Sequence, residues 1–222
     1  MTFTAILWDL DGTLVDSEPA HQAAFDDALA ELGLSVQRDF HARMLGVNEA
    51  GVYEALIAET GAVISLADWR QRKWSHYQRH ATAIRPRAGV ADVAIKLASR
   101  GIPAAVVSNS TADEVAIALA TTGLGTILTT RVSFADVRRG KPDPEGYLLG
   151  ARRLGQPPSA CLVIEDSPVG AAAGRAAGMR VIFHPQAAHP DPTAAAPGAH
   201  YLAPDGALGA LIAQAMTTGD FP

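Results

Sequence analysis

The chain has 222 residues, and 48% of them are hydrophobic, which is enough to build a sizeable core. Its formal net charge of −5 argues against a nucleic-acid-binding protein, for which a basic face is the usual footprint. The single cysteine, Cys161, excludes an internal disulfide, and the chain opens without a basic and apolar leader. We therefore expect a cytoplasmic protein without a membrane span, since no uncharged apolar run approaches about 20 residues.

The first motif begins after an apolar run, Ala5 to Trp8, which predicts a buried strand. Asp9 and Asp11 follow, two residues apart on an extended chain, so both carboxylates can face one site. Gly12 and Thr13 come next, and Gly12 lets the chain turn away. Carboxylates so close together favour a cation between them, and Mg²⁺ prefers such oxygen ligands together with substrate phosphate.

Residues 17–84 differ in character from the rest. Apolar residues near helical spacing predict a helix over 21–32, followed by helices near 38–45, 49–59 and 66–80. A helical block of about 65 residues is too long for a simple crossover between neighbouring strands. We predict a small all-helical cap at 17–84, inserted between core segments 1–16 and 85–222.

Helical and strand patterns alternate beyond residue 85. The predicted strands are 104–107, 130–134, 161–164, 180–183 and 201–202, and the predicted helices are 90–100, 112–122, 144–154, 169–177 and 208–216. The Pro- and Ala-rich stretch 184–198 predicts a loop. This alternation indicates an α/β core with a doubly wound parallel sheet.

Three further motifs lie at or just beyond predicted strand ends. Ser108 and Asn109 follow the strand at 104–107, and a hydroxyl beside a helix start can hold phosphate oxygens. Lys141 lies between Gly140 and Pro142, and the acids Glu165 and Asp166 end the run from Cys161. Taken singly, these are ordinary helix caps, a surface lysine and acids that complement a helix dipole. Their shared position at one sheet edge favours a single site.

Together the motifs resemble, in order, the four motifs of the haloacid dehalogenase-like (HAD) phosphohydrolases. The helical insert is similar to the cap of the subgroup that contains sugar phosphatases, phosphoglycolate phosphatase and β-phosphoglucomutase. The resemblance implies that Asp9 is the nucleophile that forms an aspartyl-phosphate, and that Asp11 is the general acid and then the general base. Because Asp11 must hold a proton when the leaving alkoxide departs, we expect its pKa to lie above that of an exposed Asp. Neighbouring acids raise this pKa and Mg²⁺ lowers it, so the sequence leaves the balance open.

The resemblance also implies the remaining site residues. Mg²⁺ would be bound by Asp9, the backbone carbonyl of Asp11 and Asp166, with Glu165 either as a ligand or behind the ligands. The transferring phosphoryl and substrate would be bound by Ser108, Asn109, Lys141, Gly12, Thr13 and His21.

Substrate choice is expected to lie in the cap. The candidates are His21, Arg43, Asn48, Glu49, Arg70, Arg72 and Lys73. His21 begins the first cap helix, where related sugar-phosphate enzymes often carry a histidine. His76 and His80 are four apart, which would suit zinc, but we expect no acid or cysteine partner nearby, which favours a solvated face.

The predicted function is that of a magnesium-dependent phosphatase acting on a small phosphorylated metabolite, with sugar phosphates first and phosphoglycolate next. A phosphosugar mutase shares the core residues, but Leu45 and Glu49 replace the lysine and arginine that hold a second phosphate in β-phosphoglucomutase. A catalytically silent phosphate-binding or regulatory module is a further alternative, although such a module has no need for Asp11. We expect a monomer or weak dimer.

Overall fold

The computed structural model describes residues 2–44, 47, 49–189 and 191–219. Its strands are β1 Ala5–Trp8, β2 Val15–Asp16, β3 Arg85–Pro86, β4 Ala104–Val107, β5 Thr130–Val132, β6 Cys161–Glu165, β7 Arg180–Phe183 and β8 His200–Tyr201. Six of them form a parallel sheet in the order β5-β4-β1-β6-β7-β8, and β2 pairs with β3 antiparallel.

The helices fill the connections between the strands. They are α1 Glu18–Leu32, α2 Phe40–Met44, α3 Glu49–Thr60, α4 Leu66–His80, α5 Val90–Ser99, α6 Ala112–Thr121, α7 Glu145–Arg153, α8 Pro168–Ala176, α9 Pro192–Ala195 and α10 Leu208–Thr218. The predicted α/β fold with a parallel, doubly wound sheet and a helical insert after the first strand is confirmed.

Both faces of the sheet are buried. On the central strand β1, Ile6 and Trp8 belong to the hydrophobic cluster beneath α5, α6 and α10. Ala5 and Leu7 belong to the cluster on the opposite face, beneath α7 and α8. Successive side chains of a strand alternate between faces, so a continuous apolar run is what a strand covered on both sides requires.

The cap has a hydrophobic core of its own. Phe25 of α1 lies at its centre, stacked on Phe40 at 5.2 Å and edge-on to Trp69 of α4 at 5.1 Å. Ala20 of α1 and Tyr77 of α4 instead join the core cluster beneath α5 and α6. One end of the α1/α4 pair is therefore anchored on the sheet domain, beside the carboxyl end of β1.

Three elements, β2, β3 and α9, are absent from the sequence prediction. The β2/β3 pair joins the chain entering and leaving the cap, and each strand has only two residues, too few to show a periodic pattern. The expected loop 184–198 contains the short helix α9, capped by Asp191, whose carboxylate accepts from Ala194 N at 3.0 Å. The prediction of an uninterrupted loop there was wrong, because a single turn of helix needs only a cap and carries no repeat.

The predicted helix near 38–45 begins at Phe40, and its expected end at Leu45 lies outside the described residues. Within the described ranges, no helix is both long and apolar enough to span a membrane.

Candidate active site

Lys141 joins two acids from neighbouring strands. Its Nζ lies 2.6 Å from Asp9 Oδ1, just after β1, and 2.6 Å from Glu165 Oε1, at the end of β6. All three side chains are buried. Burial would lower the pKa of Lys141, but the charges of Asp9 and Glu165 raise it above its usual value, so the ammonium stays charged.

Glu165 is held on every side. Tyr147 OH donates to Oε1 at 2.6 Å, and Ser167 Oγ donates to Oε2 at 3.0 Å. Gly170 of α8 lies so close that an added Cβ would meet Glu165 Oε1 at 1.7 Å. Glu165 is therefore fixed in a position where it holds Lys141. Tyr147 had no sequence signal as a site residue, whereas Ser167 stands directly after the second acidic pair.

Three carboxylates form the possible cation site. Asp9, Glu165 and Asp166 each offer an oxygen, and these atoms lie within 4.8 Å of one another. Asp9 Oδ2 is buried and has no hydrogen-bond partner in the described part of the chain. Burial, and next the charge of Glu165, raise the pKa of Asp166 to about 7 and that of Asp9 well above its usual value. Crowded carboxylates with an unpartnered oxygen fit a hard divalent cation such as Mg²⁺.

The loop after β1 brings its backbone against Asp166. Gly12 has φ +80°, and an added Cβ would lie 2.1 Å from Asp166 Oδ2. Thr13 Oγ1 donates to Asp166 Oδ1 at 3.1 Å, and Arg87 donates to the Gly12 carbonyl at 2.9 Å. Only glycine allows both the left-handed backbone and this close approach. Arg87, which was not predicted as a site residue, ties the loop to the start of the second core segment.

Hydroxyl groups surround the Asp11 carboxylate. Ser17 donates to Oδ1 at 2.6 Å, and Ser108 and Ser110 donate to Oδ2 at 3.0 and 2.8 Å. Burial alone would raise the pKa of Asp11, but a hydrogen bond with His21 and those from the serines hold it well below its usual value. The expectation of a raised pKa was wrong for this state of the site, because the number of hydrogen-bond donors could not be read from the sequence.

Asn109 contacts the backbone of Lys141 rather than lying free. Its Oδ1 accepts from Lys141 N at 2.8 Å, and its Nδ2 donates to Lys141 O at 3.3 Å. Ser108 Oγ accepts from Ser110 N at 2.9 Å while it donates to Asp11. The motif after β4 thus aligns both the lysine and the second acid.

His21 is the cap residue that reaches this site. Its Nε2 lies 3.5 Å from Asp11 Oδ1, and its ring stacks on Tyr77 with centroids 4.5 Å apart. Burial lowers the pKa of His21, but the hydrogen bond with Asp11 outweighs it and leaves the pKa raised. The predicted contact of His21 with substrate stays a prediction.

The other cap cations already have carboxylate partners. Arg43 Nη2 lies 2.6 Å from Glu59, Arg70 Nε lies 2.9 Å from Glu49, and Arg72 pairs with Glu31. Asn48 lies outside the described residues.

His76 and His80 also have acidic neighbours. His80 Nε2 lies 2.8 Å from Asp27 Oδ2, and His76 Nε2 lies 2.8 Å from Glu31 Oε2. The expectation that no acid is near was wrong, because packing of α1 on α4 brings together residues far apart in sequence. Among the described residues, these four side chains do not converge on one point as metal ligands do.

A family model for haloacid dehalogenase-like hydrolases matches residues 3–178. The chain belongs to this family. It is 29% identical over 196 residues to Protein CbbY of Rhodobacter capsulatus, covering 83% of this chain and 86% of that protein. It is 32% identical over 185 residues to hexitol phosphatase A of Escherichia coli, covering 82% and 83%. Fructose-1-phosphate phosphatase YqaB of Escherichia coli is 31% identical over 186 residues, covering 81% of this chain and 95% of that protein.

Solved structures of similar proteins share the whole architecture of this HAD-like hydrolase. The structure of CbbY from Rhodobacter sphaeroides in complex with phosphate has a TM-score of 0.81 at 25% identity, and it covers 93% of this chain and 95% of that one. A putative β-phosphoglucomutase from Thermotoga maritima has a TM-score of 0.76 at 26% identity, covering 94% and 98%. The predicted resemblance to HAD-like hydrolases is confirmed. The chain is an enzyme of the hydrolase class, and the phosphatase prediction agrees with the relatives that are named as phosphatases.

Proposed function

We propose that this hydrolase is a magnesium-dependent phosphomonoesterase that acts on a small phosphorylated metabolite, with sugar phosphates first and phosphoglycolate next. The observation that carries the proposal is the buried, unpartnered Oδ2 of Asp9, whose other oxygen is held by Lys141. Relatives named for hexitol phosphate and fructose 1-phosphate support a sugar phosphate as substrate. Asp11 stands two residues on, where a proton donor for the leaving group is needed.

Electrostatics explains why the site needs so many cations. One pair of like charges about 4 Å apart costs roughly 4 kcal/mol at an effective dielectric of 20, and a carboxylate approaching a phosphate dianion faces about twice that. An uncompensated cost of that size would slow the reaction by about six powers of ten. Mg²⁺, held by Asp9, Asp166 and the Asp11 carbonyl, would supply positive charge at the phosphoryl group. Lys141 supplies the rest, anchored by Glu165.

In the proposed reaction, the Asp9 carboxylate attacks phosphorus and forms an aspartyl-phosphate while the bond from phosphorus to the leaving oxygen breaks. Asp11 gives its proton to that oxygen, so the alcohol leaves neutral. Asp11 then takes a proton from a water molecule, whose oxygen attacks phosphorus and releases inorganic phosphate and free Asp9. Ser108 and Lys141 hold the phosphoryl oxygens during both steps.

The proton for the first step has a natural source in His21. The lowered pKa of Asp11 and the raised pKa of His21 place a shared proton on the imidazole in this state of the site. His21 Nε2 and Asp11 Oδ1 are 3.5 Å apart, so a small approach would shorten this hydrogen bond for proton transfer to Asp11. In this proposal His21 gives its proton to Asp11, the general acid, when substrate binds.

The test is phosphate release from a panel of sugar phosphates, phosphoglycolate and nucleotides, with and without Mg²⁺, by wild type and Asp9→Asn. We expect metal-dependent release from the wild type and none from the variant, whose amide cannot form the acyl phosphate. Equal release by both proteins would contradict Asp9 as the nucleophile. Release from no compound would favour the silent phosphate-binding module.

A phosphosugar mutase is the second candidate, since a putative β-phosphoglucomutase has the same fold at 26% identity. A mutase must hold a second phosphate, yet Glu49 brings a carboxylate to the cap and pairs with Arg70. Isomerisation of a sugar phosphate that starts only on adding a sugar bisphosphate would favour the mutase, and hydrolysis without an activator would favour the phosphatase.

A further inference from the structure

A row of charged side chains crosses the junction of cap and core beside Asp11. Lys73 Nζ of α4 lies 3.5 Å from Glu114 Oε1 of α6. The same Glu114 oxygen lies 4.0 Å from His21 Nδ1, and the other nitrogen of that imidazole faces Asp11 at 3.5 Å. The order of the charges is thus Lys73, Glu114, His21 and Asp11, so that cations of the cap alternate with acids of the core. This row lies beside Asp11, the proposed proton donor to the leaving group.

Glu114 is a rigid and ionised member of this row. Its Oε2 accepts from both the backbone N and the hydroxyl of Thr111 at 2.9 Å, in the capping box that starts α6. Oε1 is left to face the two cations. Burial would raise the pKa of Glu114, but Lys73, His21 and the Thr111 hydrogen bonds hold it below its usual value. Glu114 thus places a permanent negative charge at the junction.

Lys73 has a second acidic neighbour, which belongs to the cap. Its Nζ also lies 4.0 Å from Glu49 Oε1, and the Lys73 side chain is only 14% exposed. The row therefore contains Lys73 and His21 as cations and Glu49 and Glu114 as acids, in addition to Asp11. Each cation already lies near two acids, so its positive charge is balanced and would not attract a further anionic group.

Tyr77 adds a neutral donor to the same place. It is fully buried, it stacks on His21, and its hydroxyl has no hydrogen-bond partner in the described part of the chain. Burial, followed by the charges of Asp11 and Glu114, raises its pKa, which shows that the phenol lies near both acids. A buried hydroxyl without a partner is costly, so a polar group of a ligand at this junction would satisfy it.

We propose that Glu114 is a specificity-determining residue that favours phosphate esters of neutral polyols or sugars and disfavours esters whose leaving group carries another anion. Hydroxyl groups of a substrate can donate to the acids and accept from Lys73 or His21. A carboxylate or second phosphate that approaches either cation is instead repelled by the acid next to it. This inference rests on the proposed phosphatase function and narrows its substrate class, against phosphoglycolate.

The test uses two substrate pairs that differ only by a terminal CH₂OH or carboxylate. The pairs are sorbitol 6-phosphate with 6-phosphogluconate, and glycerol 3-phosphate with 3-phosphoglycerate. The quantity measured is the ratio of kcat/KM, neutral ester over acidic ester. We expect wild type to favour the neutral esters by at least about tenfold, since like charges brought together at a site repel each other. Glu114→Gln should reduce that ratio by on the order of tenfold, because one like charge is removed.

Two further variants control the measurement. Glu31→Gln makes the same charge change beside Arg72 on the same cap, and it should leave the ratio unchanged. Lys73→Met removes the cation that Glu114 faces, and it should increase the ratio. Lys73→Met also tests the proposal independently if loss of the Thr111 capping contacts prevents Glu114→Gln from folding, which thermal melting will reveal.

Hydrolysis of p-nitrophenyl phosphate separates the two levels of the proposal. No hydrolysis by wild type would overturn the phosphatase itself, whereas hydrolysis that survives Asp9→Asn would overturn Asp9 as its nucleophile. Asp9-dependent hydrolysis together with an unchanged ratio in folded Glu114→Gln or in Lys73→Met would overturn only the role of Glu114. That role would also be overturned if wild type hydrolysed acidic esters as fast as neutral ones, or hydrolysed neither neutral ester.

Discussion

At the scale of single residues, the site is a balance of buried charges. Lys141 lies between Asp9 and Glu165, so one ammonium faces two carboxylates, and Asp166 adds a third acid close by. Removing water from such groups is costly unless each is paired. Tyr147 and Ser167 satisfy Glu165, whereas Asp9 keeps one oxygen without a hydrogen-bond partner among the described residues. The unsatisfied group is thus the one proposed to react.

Asp11→Asn tests the proton donor. Asparagine keeps the size of the side chain but cannot transfer a proton, so we expect kcat for alkyl phosphates to fall by about 10²–10⁴. Competitive inhibition by inorganic phosphate should change little, since Ser108 and Lys141 remain. The comparison substrate is p-nitrophenyl phosphate, whose leaving group needs no proton and whose first step should suffer less. Near-normal turnover of alkyl phosphates would exclude Asp11 as the acid.

Magnesium affinity should depend on pH through Asp166. Its pKa is raised to about 7 by burial and by Glu165, so the carboxyl is protonated below that pH and ionised above it. A ligand must lose its proton to bind the cation, and affinity should therefore fall about tenfold per pH unit below pH 7. Calorimetric titration with Mg²⁺ at pH 6, 7 and 8 measures this. Asp166→Asn is the control, with weak binding of shallower pH dependence, and equal affinity of wild type at pH 6 and 8 would contradict the assignment.

At the scale of elements, the ends of β1, β4 and β6 each bring side chains to the site, and a helix that follows can hold them in place. Helix α8 shows this well: Ser167 caps it by accepting from Gly170 N at 3.0 Å, and the same serine donates to Glu165. The small residues at the start of α8 let its backbone approach the buried acid. The glycine-rich helix after the second acidic pair is therefore a packing requirement of Glu165.

Gly170→Ala tests this close approach. In an exposed helix the change would stabilise by about 0.5–1 kcal/mol. Here the added methyl meets Glu165 Oε1 at 1.7 Å, so the free energy of unfolding should instead fall by about 1–3 kcal/mol. Activity should fall with it, because Glu165 anchors Lys141. Urea unfolding and kcat measure both effects.

The matched control for that substitution is Gly209→Ala in α10, where the nearest side-chain atom is Val93 Cγ2 at 3.1 Å. A small stability change and normal kcat are expected there. Gly170→Ala that is more stable than wild type would show that Glu165 can move without consequence.

At the scale of the whole molecule, the cap and the sheet domain meet across the site. The chain passes between them at β2 and β3, which pair only through Val15 with Pro86 and Asp16 with Arg85. So small a connection can serve as a hinge. Closure of the cap over a bound substrate would exclude water and bring the cap residues close to Asp11. We infer that the cap moves relative to the core during turnover.

Distance measurement between spin labels tests this motion. The only native cysteine, Cys161, is buried, so cysteines introduced at the exposed positions Glu54 in the cap and Arg152 in the core can be labelled selectively. We expect the distance distribution to shift when Mg²⁺ and aluminium fluoride, a phosphoryl mimic, are added. Labels at Arg152 and the exposed Asp92, both in the core, are the control and should not move. Identical cap–core distances with and without the mimic would count against the hinge.

Much of the fold could be predicted from local pattern. The bounds of β1, β4 and β7 agree with the prediction, because a buried strand is an unbroken apolar run and turn residues mark where it ends. Helix α4 also agrees at both ends, where Ser65 caps its start by accepting from Asp68 N. Elements that lack a repeat, namely β2, β3 and α9, could not be predicted in this way.

The sequence by itself determined which residue types stand at the candidate site and that they follow strand ends. Only the tertiary structure decided how they act on one another. The strand order β4-β1-β6 brings Ser108, Asp9 and Glu165 side by side, and packing of α1 and α4 on the core brings His21 to Asp11. The direction of the Asp11 pKa shift depends on donors from two separate segments, the start of α1 and the loop after β4, set against burial. Such a balance is a property of distances in space, which spacing along the chain does not contain.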